Sequence, residues 1–567
     1  MTTGRLAGGL LPLLGRGSTI AALVVVVALP FAFIALQAVF PEIGAGSFAR
    51  PLAHLATVLR SEDFATQTRN TLALGAGVVV ASFAVGVPLA ALRALTRLPG
   101  ALIWDLVFLV PFMIPPYIAT LGWIMTLQPA GYLQQLTGVS LGPQLFSFPG
   151  IVAVMTLHCF PVVYFAASRA FTAIGARTSD ASRVFGAGPL RAFWRVTLPL
   201  ATPALAASGL LVFAMTIEEY GTPAVLGARF GFDVLVTGID TSLSDWPIDL
   251  PKAALLSIAL IALSLAAFAL QRWVATRRDA GVVGGKAARA ATRPLCGWAL
   301  PVLVLFAAVA FVSTGLPLLA ILATALSRTI SGGLTPDNLG LGNFRAVLAD
   351  SSGALSALGT SFGLGLISAV MAGVLGLAVA FTTARRGSRG GRRAPGAALI
   401  DALSMLPNAA PGVVVALGLI LLWNQPALPA TPYNTLAILV LAYVCILLPQ
   451  PVRYTVAAFQ QVDPALEAAA RVHGAGPARA AWRVLVPLVA PSVLAAMLLV
   501  FTVAARELVA SLLVAPVGVD TIGTYIWRQF DQGSMGEGMA VAFLAIVATT
   551  LVPIVILSAM RRLEMPG

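Results

Sequence analysis

The sequence is poor in charge and holds few of the residues that build metal or redox sites. Charged residues make up 10% of its 567 residues, whereas soluble globular domains carry about 25%, so the chain is not a soluble globular protein. Its three cysteines, Cys159, Cys296 and Cys445, stand singly with no C-x-x-C pair, and we interpret them as apolar packing residues. His158 and His473 show no ligand spacing, and no metal site is predicted.

Long apolar segments are what the chain has instead. Hydrophobic residues make up 59% of the sequence, and the mean hydropathy is +0.93. A transmembrane helix needs about 20 predominantly apolar residues, which predicts an all-α polytopic membrane protein with about 12 transmembrane helices. The predicted spans are 19–40, 70–92, 103–127, 149–171, 201–225, 252–273, 297–325, 358–383, 398–423, 434–455, 488–514 and 538–560. The run 19–40 is expected to be the first span and not a removed signal peptide.

The positive charges are unevenly distributed among the predicted loops. Of 35 Lys and Arg residues, Arg506 alone lies inside a predicted span, and eight lie in loops that follow odd-numbered spans. The others cluster at the termini, in the remaining loops and at the edges of the spans. Cationic loops stay on the cytoplasmic side. Both termini are therefore expected on the cytoplasmic side of a bacterial inner membrane. This arrangement also explains the net charge of +13 without any nucleic-acid partner.

One segment of the chain occurs twice. Residues 183–203 read RVFGAGPLRAFWRVTLPLATP and residues 471–491 read RVHGAGPARAAWRVLVPLVAP, which are identical at 14 of 21 positions with an offset of 288. A repeat at this period indicates a duplicated module. We predict a first six-helix module over 1–275, a basic cytoplasmic linker over 276–296 and a second six-helix module over 297–567. Modules with the same direction should be related by a pseudo-twofold axis along the membrane normal.

The repeated segment resembles the cytoplasmic signature of binding-protein-dependent ABC importer permeases, which has the form E-A-A-x(3)-G-x(9)-I-x-L-P. The first copy reads DASRVFG from Asp180 to Gly186, with V-T-L-P ending at Pro199. The second reads EAAARVHG from Glu467 to Gly474, with V-L-V-P ending at Pro487. The first copy has Asp in place of Glu, and the second has its Glu one position early. This difference leaves open whether the two couplings are equivalent.

The resemblance implies that each loop docks on one of two copies of a separate cytoplasmic ABC ATPase subunit. ATP and Mg would be bound by that partner, an extracytoplasmic binding protein would deliver the solute, and this chain would not be an enzyme. The alternative for the arginines is that they hold the loop at the anionic inner leaflet. The predicted coupling residues are Asp180, Ala181, Arg183, Gly186, Gly188, Pro199, Glu467, Ala468, Ala469, Arg471, Gly474, Gly476 and Pro487.

The chain contains no recognisable phosphate-binding loop of its own. Its one Gly-Gly-Lys sequence ends at Lys286, but a P-loop would need glycine where Ala280 stands and Ser or Thr where Ala287 stands. ATP hydrolysis is therefore expected on another polypeptide, and this chain is expected to bind no cofactor of its own.

Glu218 and Glu219 lie in the fifth predicted span, Arg506 and Glu507 lie in the eleventh, and Glu219 matches Glu507 at the offset of 288. Ionisable groups inside a membrane are costly and usually face a cavity or a partner. One interpretation is that they line the translocation path or its gate. The other is that they form a structural network, with Arg506 near Glu219 as one possibility. The sequence leaves both interpretations open.

The substrate is weakly encoded in the sequence. The segments 218–235 and 506–522 look like the corresponding regions of ferric-iron importer permeases, in which both modules are fused in one chain. This resemblance favours ferric iron, with thiamine, a polyamine, a phosphonate or another small solute as alternatives. A secondary transporter would need neither repeated loop, and a scaffold without transport would leave the loops and the paired glutamates unexplained.

Overall fold

A computed structural model describes residues 16–184, 188–277, 292, 294–349, 353–383, 396–425 and 428–563. These residues are almost entirely helical, and the described part of the chain has only isolated β-bridge residues, among them the bridge between Ser327 and Leu339. The prediction of an all-α polytopic protein is confirmed. Among the described residues, nine helices are long and apolar enough to cross a membrane, and three bent helix pairs raise the number to as many as 12.

The spans are numbered here in chain order. The nine single helices are spans one (Arg16–Val39), two (Glu62–Leu95), four (Phe148–Ile174), five (Leu190–Glu218), six (Leu250–Val274), seven (Cys296–Leu326), eight (Ala354–Thr383), eleven (Ala478–Ala504) and twelve (Met535–Pro553). The bent pairs are spans three (Ala101–Met113 with Pro116–Thr137), nine (Ala397–Ala409 with Gly412–Trp423) and ten (Leu436–Leu447 with Pro449–Gln461). Each predicted span coincides with one of them, although spans five and eleven end earlier than the sequence indicates.

Prolines explain the sharp bends of spans three and nine. The two halves of span three meet at 94° and those of span nine at 115°. Pro115 is the residue before the second helix of span three, and Pro411 holds the same place in span nine. Proline has no backbone N–H and disfavours helical geometry at the residue before it, so the helix cannot continue through either site. Both breaks lie in the segments PFMIPP and LPNAAPG.

The described helices group into two compact units. The first unit comprises residues 58–241 and 259–343, and the second comprises residues 1–57, 242–258 and 344–567. Each unit therefore contains the first span of the other sequence half: span seven packs on span three in the first unit, and span one packs on span nine in the second. The contiguous modules 1–275 and 297–567 remain a prediction about sequence order, because packing groups the helices differently.

Two glycines make these exchanged contacts possible. A Cβ added at Gly122 in span three would lie 2.7 Å from the carbonyl oxygen of Pro317 in span seven. One added at Gly418 in span nine would lie 2.8 Å from the carbonyl oxygen of Pro30 in span one. Small residues let helix backbones approach closely in a membrane, where packing rather than hydrophobicity drives association. In both spans one and seven, a π-helical turn ends just before the contacting proline.

The second and fourth spans also make a close contact in the first unit. A Cβ at Gly86 would lie 3.1 Å from the backbone nitrogen of Tyr164, and in the second unit a Cβ at Gly376 would lie 3.1 Å from that of Val452. Tyr164 lies 288 residues before Val452, which is the offset of the repeated segment. The duplication is therefore visible in helix packing as well as in sequence.

Candidate functional site

The second repeated loop is described in full. Asp463 accepts a hydrogen bond from the N–H of Ala465 at 2.8 Å and so caps the helix Pro464–Val472. This helix ends at Gly474, whose φ of +80° favours glycine. The following helix, Pro477–Ala480, continues through a π-helical turn directly into the helix Val486–Ala504, and together they form span eleven. The loop is thus one short helix joined by a glycine turn to the start of a span.

The helix Pro464–Val472 presents its side chains outward. It buries none of its residues, and Val472 is 85% exposed. Gly476 accepts a hydrogen bond from the N–H of Ala480 at 3.0 Å and so supports the turn into the next helix. The predicted coupling residues of this helix are Glu467, Ala468, Ala469 and Arg471, while Pro487 is exposed in the first turn of the helix Val486–Ala504.

The first repeated loop is described only in part. Asp180, Ala181 and Arg183 lie near the end of the helix Phe148–Val184, and the positions of their side chains are outside the description. Gly186 lies outside the described residues. Gly188 precedes the helix Pro189–Ala192, which runs through a π-helical turn into the helix Leu198–Glu218 that contains Pro199.

The two copies differ in the helix that leads to the loop. In the first copy, a single helix of 37 residues runs from Phe148 to Val184. In the second, the chain bends by 48° after Leu447 and breaks again before Pro464. Pro161 and Pro449 occupy equivalent positions, so the proline alone does not cause the difference. Asp463 and Pro464, a helix cap followed by a helix-starting proline, add a break that the first copy lacks.

Glu507 lies just beyond span eleven rather than inside it. Its carboxylate accepts hydrogen bonds from the N–H of Ala510 at 3.0 Å and from the N–H and hydroxyl of Ser511, both at 3.1 Å. Ser511 also shares a hydrogen bond of 2.7 Å with the buried hydroxyl of Tyr443. The carboxylate thereby satisfies the first N–H groups of the helix Val509–Val514. These contacts give Glu507 a structural role that holds a broken helix together.

Glu219 lies at the equivalent break of the first unit. It follows the last residue of span five, and its carboxylate accepts the N–H of Thr222 at 2.9 Å and 3.1 Å from its two oxygens. The hydroxyl of Thr222 is held by that of Thr120 at 2.9 Å. Both glutamates therefore cap the start of the helical segment that follows the break, which supports the network interpretation of the sequence.

Glu218 and Arg506 are the residues before these two glutamates. Glu218 ends span five, and Arg506 lies two residues beyond span eleven. Both side chains are half-buried. Glu219 and Arg506 fall in different units, so that their pairing remains a hypothesis from the sequence.

A small cavity adjoins Glu219 in the first unit. Its volume is about 60 Å³, and its lining includes Met155, His158, Cys159, Met215, Glu219 and Thr222. The sequence interpretation assigned Cys159 and His158 to packing and missed the cavity. The offset of 288 could have indicated it, because this offset places Met155 opposite the larger Tyr443. Among the described residues, no three His, Cys, Asp or Glu side chains converge as a ready-made metal site.

The sequence was compared with known proteins. The family model of the "Binding-protein-dependent transport system inner membrane component" matches residues 84–279 and 375–564. The ferric transport system permease protein FbpB of Actinobacillus pleuropneumoniae is 25% identical over 491 residues, covering 84% of this chain and 69% of that protein. The Fe(3+)-transport system permease protein FbpB 2 of Haemophilus influenzae is 22% identical over 525 residues, covering 92% and 93%.

A shorter relative matches a single module. The molybdenum transport system permease protein ModB of Azotobacter vinelandii is 33% identical over 172 residues, covering 30% of this chain and 75% of that protein. The family model matches twice, once in each sequence half, and together the matches cover more than half of the chain. The chain therefore belongs to the family of inner-membrane components of binding-protein-dependent transport systems, as a fused ABC importer permease with two family modules.

Proposed function

We propose that this chain forms the membrane path of a ferric-iron importer. Permeases of this family work with an ATPase and a solute-binding protein. The observation that supports iron is similarity over nearly the full length to fused ferric permeases, including one of which 93% is covered. Under this proposal, an extracytoplasmic binding protein selects the iron and the chain provides the route through the membrane.

Uptake of radioactive Fe³⁺ tests the choice of solute. Cells that express the chain with its ATPase and binding protein should accumulate iron, and cells without the chain should not. Excess unlabelled Fe³⁺ should abolish the signal, while thiamine and spermidine should leave it unchanged. Equal iron uptake with and without the chain would overturn the assignment. Competition by thiamine or spermidine would instead favour that solute.

The repeated loops are proposed to contact two copies of a cytoplasmic ATPase. The outward-facing helix Pro464–Val472 supports this, since it offers small, basic and apolar side chains without burying any of them. The excess of Lys and Arg in the same set of loops supports a cytoplasmic position for both loops and both termini. ATP and Mg would then bind to the ATPase, and this chain would transmit the movement.

Substitution of Gly474 tests the coupling proposal. Gly474 has a φ of +80° with open space around its Cβ position, so Gly474→Val strains the turn without a clash and should reduce co-purification of the ATPase. The matched control is Gly533→Val, because Gly533 has a φ of +82° and equally open surroundings at a distant turn. Unchanged co-purification with Gly474→Val, or an equal loss with Gly533→Val, would contradict the assignment.

A further inference from the structure

The two equivalent glutamates differ in the groups that hydrogen-bond to their carboxylates. Glu507 accepts three hydrogen bonds, from two backbone N–H groups and the hydroxyl of Ser511. Glu219 accepts the N–H of Thr222, which its two oxygens share, with the N–H of Gly221 and the hydroxyl of Thr222 as further partners. The cause is visible in the sequence, because Pro223 stands where Ser511 stands in the second module. Proline supplies neither a backbone N–H nor a hydroxyl.

The space beside the two glutamates differs as well. In the second unit, the buried ring of Tyr443 reaches Ser511, which itself bonds to Glu507. Met155 occupies the equivalent position in the first unit. A methionine is slimmer than a tyrosine and brings no hydroxyl to the carboxylate. The first unit has its cavity of about 60 Å³ at this place.

The walls of the cavity carry several groups that can bind a cation. The carboxylate of Glu219 and the imidazole of His158 are joined by the thioethers of Met155 and Met215. Carboxylate and imidazole both suit first-row metal cations, and thioethers add softer donors. His158 is also held in orientation, because its ring stacks on that of Phe112 with centroids 5.7 Å apart.

We propose that the cavity beside Glu219 is a transit site for a small, partly dehydrated metal cation. The contacts would come from the carboxylate of Glu219 and the imidazole of His158. The volume exceeds the roughly 15 Å³ that one water molecule requires, so an ion that keeps part of its hydration can enter. This proposal rests on the proposed function as a metal importer and specifies where the cargo touches the chain.

The limited number of strong ligands fits a site of passage. The cavity brings together two such groups, and no cluster of three His, Cys, Asp or Glu side chains occurs among the described residues. A tight site of three or four ligands would retain the ion. Conduction requires binding that is favourable enough for entry yet weak enough for release.

Mn²⁺ serves as a redox-stable probe cation for this cavity. Cys159 lines the cavity but is buried, and a buried thiol in apolar surroundings is inert, so that binding of the cation itself is measured. Bound Mn²⁺ lowers the electron paramagnetic resonance signal of the free ion, and we expect the purified parent chain to lower that signal.

Two substitutions separate access from charge. Glu219→Gln should weaken Mn²⁺ binding about tenfold by removing the charge, and Met155→Tyr should abolish binding by filling the cavity. Met371→Tyr is the matched control, since Met371 is 44% exposed on the helix Ala354–Thr383; it should leave Mn²⁺ binding unchanged.

Iron uptake then links the cavity to transport. Met155→Tyr and Glu219→Gln should each reduce uptake at least tenfold without loss of the co-purified ATPase, while Met371→Tyr retains uptake. Absence of Mn²⁺ binding by the parent protein, binding that survives Glu219→Gln, or full uptake by Met155→Tyr would overturn the proposal and leave the importer assignment intact. Mn²⁺ binding that Glu219→Gln weakens, in a chain that transports no iron, would refute iron as cargo and support the cation site.

Discussion

The close crossings of the exchanged first spans give the sharpest prediction about stability. Gly122 and Gly418 lie where a Cβ would come within 3.0 Å of backbone atoms of Pro317 and Pro30, respectively. A backbone carbonyl cannot rotate away as a side chain can, so that the crossing helices must move apart. We expect Gly122→Ala and Gly418→Ala each to destabilise the chain through this contact.

The magnitude follows from two opposing effects. Forcing an additional carbon into a packed contact costs about 1–3 kcal/mol. Replacing glycine by alanine within a helix gains about 1 kcal/mol from helix propensity. The control is Gly363→Ala in the helix Ala354–Thr383, where a new Cβ would meet nothing within 4 Å. That control isolates the propensity gain, so each test variant should be about 1–3 kcal/mol less stable than Gly363→Ala.

Membrane proteins of this size often unfold irreversibly, and therefore the assay is a loss of the folded state with temperature. The fraction of monodisperse protein after heating in detergent, measured by size-exclusion chromatography, should fall at lower temperature for Gly122→Ala and Gly418→Ala. Gly363→Ala should match or exceed the parent. If all three variants retain the same monodisperse fraction, the two glycines are not required for close approach, and the exchanged packing loses its main support.

Three further predictions concern buried polar contacts. Ser511→Ala and Tyr443→Phe should each lower the stability of the chain by about 1 kcal/mol, and the double variant should lose less than the sum of the two. Heat stability in a double-mutant cycle measures this, and strict additivity would exclude the hydrogen bond. Ser361→Ala should lower the stability of the chain by about 1–3 kcal/mol, because the Ser361 hydroxyl accepts a hydrogen bond from the buried N–H of Ile522 at 2.7 Å. Ser361→Thr retains a hydroxyl and should lose less stability; equal losses for the two variants would refute this role. Asp105→Ala should lower the stability of the chain by about 1–2 kcal/mol, because the Asp105 carboxylate accepts hydrogen bonds from Arg93 and from the hydroxyl of Tyr164, both at 2.7 Å. The loss is moderate because the side chains of Arg93 and Asp105 are 31% and 23% exposed, so that solvent screens the pair. A heat stability equal to that of the parent would show that this contact is negligible.

Hydropathy was sufficient to predict where the spans lie but not where their helices end. The predicted spans 201–225 and 488–514 continued beyond Glu218 and Ala504, because apolar residues resume after the few charged and polar ones. The breaks arise when a carboxylate takes over the N–H groups of a new helix, which is a local hydrogen-bonding choice that average hydropathy does not register. The segment Gly221-Thr222-Pro223 carried a turn signal in the first module. No such signal precedes Ser511 in the second.

The exchange of the first spans was beyond the reach of sequence patterns for another reason. Spans one and seven have no polar stripe that would select a partner, and their contacts are with residues about one hundred positions or more away. Gly122 and Gly418 could be recognised as equivalent in the sequence, but a glycine shows only that something approaches closely. The structure identifies the partners, which are Pro317 for Gly122 and Pro30 for Gly418.

The equivalent positions that stayed alike and those that diverged differ in kind. Gly86 and Gly376, like Gly122 and Gly418, face backbone atoms of a neighbouring helix, and any larger residue would separate the helices. Met155 and Tyr443 instead face side chains that can adjust around them. A duplicated permease can therefore change the lining of one module while both keep the same helix crossings. The surroundings of Glu219 and Glu507 show such a change. Pro223 in the first module and Ser511 in the second alter the hydrogen bonds that each carboxylate accepts. The helix break that both glutamates cap stays at the same position.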